Sequence, residues 1–66
     1  MASKEAVDFG RRVKDFRLDR QMEQLQAAVF FGISKATLCR IEAGKGCGDL
    51  NRVKIEKILA HHQVAA

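Results

Sequence analysis

Gly32, Ile33 and Ser34 separate two short apolar-patterned runs, residues 24–31 and 35–43, and this stop and restart constrains the chain more than any other feature. Glycine adopts positive φ without steric penalty, so Gly32 is suited to close one helix and turn the chain sharply. Ile33 follows as a buried anchor in the turn. Ser34 then caps the next helix, its hydroxyl accepting from a backbone N–H near Ala36 or Thr37. Leu38 and Ile41 face inward from that helix, and Gly44 ends it as a second left-handed cap. Ala28 is small where the two helices must approach. These residues describe two helices at a steep angle joined by a tight turn, over about residues 24–44.

The remaining chain supplies the supports. Ser3 is a good N-cap for a first helix, with Glu5 in its first turn. Ala6, Phe9, Val13 and Phe16 then recur at spacings of three and four, the stripe of an amphipathic helix, while Arg11, Arg12, Lys14 and Asp15 fill the other face. Residues 18–23 contain no Gly, Pro or Asn, so a break is expected somewhere between Leu18 and Glu23 without a marked corner. After the flexible Gly44-Lys45-Gly46-Cys47-Gly48 connection, Asp49 or Asn51 could cap a fourth helix through residues 52–62. Ile55, Ile58 and Leu59 share one face of it. Leu50 and Val53 lie off that stripe, and Leu50 is expected to pack from the loop.

Sixty-six residues make room for one domain, residues 1–66, with a single small core. Proline is absent and the five glycines lie mostly in one stretch, which favours a compact all-α fold of four to five helices over a sheet protein. A net charge of +4 is compatible with nucleic acid but does not prove it. No apolar run approaches the roughly 18 residues of a membrane span, and Met1-Ala2-Ser3-Lys4-Glu5 lacks a signal peptide's apolar stretch. Cys39 and Cys47 have no metal-ligand spacing with each other or with His61 and His62, so the expectation is reduced thiols and no metal or cofactor. No nucleophile–base or carboxylate pair suggests an enzyme. A cytoplasmic, nucleoid-associated protein is expected.

At 100° per residue, Lys35, Ala36, Cys39 and Arg40 fall opposite Leu38 and Ile41. A short helix with one face pinned to the core and the other carrying such residues suits the DNA major groove. Lysine and arginine donate to guanine O6 and N7, and an alanine methyl can contact thymine. The only acid on this helix is Glu42, and its best partner is Arg17.

From Phe9-Gly10-Arg11-Arg12-Val13-Lys14-Asp15-Phe16-Arg17 to Lys45, the chain resembles the Cro/repressor helix-turn-helix family, also called the xenobiotic-response-element family. Gln24, Ala28, Gly32, Ser34, Thr37, Ile41, Glu42 and Gly44 stand where that family usually has those or similar residues. The resemblance implies a lambda-repressor-like fold and a sequence-specific regulator of phage Cro type. Its recognition helix, about residues 34–43, would lie in the major groove of a double-stranded DNA operator. Gln24 would bind a phosphate at a helix start, and Ser34, Lys35, Ala36 and Arg40 would face bases or flanking phosphates, with Thr37 and Cys39 on or beside that face. Lys45 and nearby amides would hold the sugar-phosphate strand, and Arg17 and Glu42 would form an internal ion pair.

The departures from that pattern concern the second helix. Ala27 replaces the usual leucine, which leaves a core site underfilled unless Phe30 or Phe31 compensates. Glu23 is a weaker cap than the usual Ser or Thr, and the usual glycine near position 21 is missing. Leu25 and Val29 replace polar residues. They either pack under Phe30 or the chain ends, or form an exposed apolar strip for a second copy or a regulatory protein partner. Three readings therefore stand: a repressor that dimerises weakly and assembles on DNA; an antitoxin or restriction-modification controller that also binds a protein through helix 2; and an interaction module that has lost DNA binding. Lys35, Arg40 and Lys45 argue against the last. Cys39 reads more simply as a small residue tolerated in the groove than as a thiol sensor, and Cys47 likewise.

Overall fold

The computed structural model describes residues 4–46 and 48–63. They form four helices: α1 (Lys4–Asp19), α2 (Gln24–Phe31), α3 (Lys35–Glu42) and α4 (Asp49–Gln63). The expected Ser3 cap and Cys47 lie outside the described residues. No described helix is long and apolar enough to cross a membrane.

The α1 stripe enters the core as its spacing predicts: Phe9, Val13 and Phe16 are buried. They pack with Ala27, Ala28, Phe31, Leu38, Ile41, Ile55 and Leu59, and Met22, Ile33 and Ile58 close the edges. The site expected to be underfilled at Ala27 is fully enclosed. In the same core, the Phe16 ring centroid lies 5.8 Å from those of both Phe30 and Phe31.

Gly10 sets how closely α1 and α3 cross. A Cβ at Gly10 would collide with the backbone carbonyl oxygen of Ile41, and no side-chain rotation could relieve that. α4 runs parallel to α1, as shown by pairs that advance together along both helices. Arg52 approaches Glu5 at 3.8 Å, Arg12 approaches Glu56 at 3.5 Å, and an Arg20 guanidinium nitrogen lies 3.3 Å from His62 Nδ1.

Helices α1, α2 and α3 end alike. In α2, Gly32 N–H donates to Val29 O and Ile33 N–H to Ala28 O, the paired bonds of a Schellman motif with Gly32 at φ 73°. Gly44 and Lys45 repeat it on Ile41 and Arg40, with Gly44 at φ 80°. At the end of α1, Gln21 and Met22 donate to Leu18 and Arg17 in the same pattern, and here the left-handed residue is Gln21, at φ 57°. The corner that lacked a glycine signal is therefore an ordinary helix stop occupied by a strained residue.

Two expectations are corrected. α4 begins at Asp49 rather than near residue 52, with Arg52 N–H donating to Gly48 O, so neither Asp49 nor Asn51 is its N-cap. Leu50 consequently sits inside the helix, on the side away from Ile55 and Leu59, and is 87% exposed instead of packing from a loop. Glu23 is also better suited to its position than expected: its backbone N–H donates to Gln26 Oε1 at 2.8 Å, one arm of a capping box.

Two substitutions test these packing arguments. Gly10→Ala gains helix propensity but forces two backbones apart, so a net loss of about 2 kcal/mol or more is expected on thermal or urea unfolding. Equal or higher stability would show that the crossing is not tight. Gln21→Gly should do the opposite, raising stability by about 0.5–1 kcal/mol as left-handed strain is relieved against glycine's larger unfolded-state entropy.

Candidate nucleic-acid interface

Ser34 holds the start of α3. Its Oγ accepts from Thr37 N–H at 3.1 Å, and its hydroxyl lies 2.8 Å from Thr37 Oγ1. The hydroxyl is therefore committed to the cap. With α3 fixed in this phase, Leu38 and Ile41 are buried, and Lys35, Ala36, Cys39 and Arg40 are exposed on the other side. Thr37 is half-buried between the two faces.

Lys35, Arg40 and Lys45 form no ion pair among the described residues. Glu42 is the acid of α3, and it is turned away from them. Arg17 Nε donates to its Oε2 at 2.7 Å and Arg17 Nη2 to its Oε1 at 2.9 Å, a bidentate pair with both side chains mostly buried. A third donor, Arg17 Nη1, reaches Met22 O at 3.1 Å and ties the α1–α2 corner to the same group. The hydrogen bond with Glu42 is the largest influence on Arg17 and raises its pKa above the ordinary arginine value. Desolvation opposes the shift, and the charge of Glu42 adds to it. A cation with a raised folded-state pKa contributes fully below its unfolded value and loses that contribution only above it. Arg17 therefore contributes no pH dependence to stability in the neutral range.

Gln24, the first residue of α2, is half-buried against this pair. Its Nε2 donates to Glu42 Oε1 at 3.3 Å, and Cys39 Sγ donates to its Oε1 at 3.3 Å. Gln24 and Cys39, read from sequence as separate contacts, are thus neighbours.

Arg40 and Lys45 also share an open cleft of about 350 Å³ with Thr37, Gly46, Gly48 and Asn51. Sequence reasoning treated Asn51 only as a possible cap. The cleft lies where the first turn of α4, which includes Asn51, stands beside the end of α3. A second cleft of about 340 Å³, between α1 and the α3 terminus, brings Arg11 and Lys14 near Ala43 and Gly44. Those cations were read as solvated faces of α1, and nothing in their spacing marks this neighbourhood.

Leu25 and Val29 are 59% and 74% exposed, so they do not pack under Phe30; the chain ends, the other cover expected for them, lie outside the described residues. α2 carries no charged residue, and its outer side is therefore uncharged and partly apolar. Among the described residues, no group of three or more His, Cys, Asp or Glu side chains could hold a metal ion. The chain matches no protein-family model, no curated protein and no solved structure.

Removing one partner of the Arg17–Glu42 pair strands a mostly buried charge. Arg17→Met is expected to cost about 2–4 kcal/mol in urea unfolding, and Arg17→Met with Glu42→Met appreciably less than the two single losses summed. Strict additivity of the two substitutions would mean that the pair carries no coupling.

Proposed function

We propose that this protein is a sequence-specific double-stranded DNA-binding regulator, a repressor of phage Cro type, in which α2, the Gly32–Ser34 turn and α3 act as a helix-turn-helix. α3 would enter the major groove, and the repressor would act by occupying an operator and blocking polymerase. One observation carries the reading. The outward face of α3 and the loop after it bring together Lys35, Arg40 and Lys45, none of them in an ion pair among the described residues, and the one acid of that helix is sequestered by Arg17.

A face so arranged has matched functions for its parts. Lys35 and Arg40 donate to base edges or phosphates, and Ala36 offers a methyl to thymine. Thr37 and Cys39 are short enough to let the helix approach. Lys45 and Asn51 border the open cleft, which would take a backbone phosphate, and Gln24 lies at the start of α2, where the helix dipole favours an anion. Ser34 supports the reading as the cap that sets the phase of α3 rather than as a base contact.

A second reading, an antitoxin or controller that also binds a protein through α2, is favoured by the exposure of Leu25 and Val29. The same strip could serve weak dimerisation on DNA. Leu25→Asp with Val29→Asp should abolish either association without unfolding α2, as sedimentation and circular dichroism would report. Unchanged self-association would remove the strip from the argument.

The DNA-binding reading is tested by titration with random-sequence duplex at several salt concentrations. Affinity should fall linearly on logarithmic axes, and Lys35→Ala with Arg40→Ala should weaken binding and flatten the slope by up to about 0.9 for each phosphate that is no longer neutralised. Flat or absent binding by the unaltered protein, with no effect of the double substitution, rules the reading out. Selection from a random duplex library would then show whether the site is palindromic.

A further inference from the structure

We infer that the Arg17–Glu42 pair, together with Cys39, positions the Gln24 amide for contact with a DNA phosphate, so that a pair buried for structure also sets binding affinity. The inference rests on the DNA-binding reading above and deepens it.

The chemistry of the four side chains dictates the arrangement. An ionised carboxylate only accepts, so Glu42 must face the nitrogen end of the Gln24 amide, at 3.3 Å. The oxygen end is then left for the donor on the other side, Cys39 Sγ, also at 3.3 Å. Held at both ends, the amide cannot flip. Its nitrogen carries two hydrogens and Glu42 takes one; no described residue accepts the other, which is the one offered to a phosphate. Glu42 itself is immobile because Arg17 grips both of its oxygens.

Arg17 has a second effect in this arrangement. A bare carboxylate one hydrogen bond away from a phosphate-binding side chain would repel DNA. The bidentate guanidinium cancels that charge locally, so Glu42 orients Gln24 without opposing the phosphate. Gln24 thus meets its ligand with its rotamers already restricted, which spares part of the ordering cost of binding.

The test is a set of double-substitution cycles on duplex affinity, using the full chain and a random-sequence duplex. Gln24→Ala should weaken binding about three- to tenfold, the scale of one immobilised polar side chain. Arg17→Met with Glu42→Met, which replaces the pair by apolar side chains, should give a similar loss and almost none in the Gln24→Ala background. Cys39→Ala, an exposed change that cannot unfold the core, should also weaken binding only when Gln24 is present, and Cys39→Ser, which keeps a donor, should restore it. If the paired methionines unfold the protein, the Cys39 cycle alone decides. Losses that multiply independently of Gln24 overturn the positioning role but leave DNA binding intact. Absence of binding by the unaltered protein overturns both.

Discussion

The arrangement of α1, α2 and α3 depends on the Arg17 guanidinium. One planar group ends α1, closes the turn through the Met22 carbonyl, and holds Glu42 near the end of α3 with two parallel bonds. Arginine suits this position because its donors form a fixed fork, and a lysine could satisfy only part of the set. Taking two charges out of water is costly, and an apolar pair of the same volume could be as stable. The pair therefore has more to do with specification: it fixes where the end of α3 lies relative to α1, and so which face of α3 is left to solvent.

The termini of the short helices complete that specification. Eight-residue helices are unstable alone, since few residues follow the costly first turn. α2 and α3 persist because their ends are satisfied and their inner faces are covered. Ser34 starts α3, Gly32 and Gly44 stop the two helices in left-handed geometry, and the buried side chains Phe31, Leu38 and Ile41 pin them to α1 and α4. Gly10 then lets α3 approach α1 backbone to backbone. The closeness of that crossing allows Arg17 to reach Glu42 from just beyond the last core residue of α1.

Much of this architecture was legible in the chain because it is written in local signals. Gly32, Ser34 and Gly44 mark helix ends through backbone conformation and capping, and the Phe9–Phe16 and Leu38–Ile41 spacings mark buried faces. The rest was set by tertiary context. Gln21 occupies a left-handed position that glycine usually fills, and only the surrounding turn with its Arg17 bond makes that tolerable. The start of α4 carries no side-chain cap to mark it, because a glycine, Gly48, precedes the helix. Leu50 therefore lies on the surface of a helical turn where a loop residue packed on the core was expected. At the candidate site, the residues of α3 were legible as one face. The grip of Glu42 and Cys39 on Gln24, and the cleft at Asn51, depend on distances between helices that no spacing within one segment encodes.

The distribution of charge gives the two sides of the molecule different characters. Along α1 and α4, some arginines are matched, Arg12 with Glu56 and Arg52 with Glu5 and Glu56, with Arg52 also over the Phe9 ring, whereas Arg11, Lys14, Lys54 and Lys57 form no ion pair among the described residues. On α3 and the loop that follows, Lys35, Arg40 and Lys45 have no such partners among the described residues. Exposed ion pairs add little stability, so the pairs along α1 and α4 matter mainly for how charge is distributed. What distinguishes α3 is that its cations stand on a narrow face among the short side chains of Ala36 and Cys39, with its one acid held by Arg17. Beside it, α2 is uncharged and exposes Leu25 and Val29. Under the function proposed above, the basic face of α3 would meet the polyanion and the apolar strip of α2 would be left for a protein. On that proposal, two copies meeting through their strips would address two stretches of one duplex without needing a large core of their own.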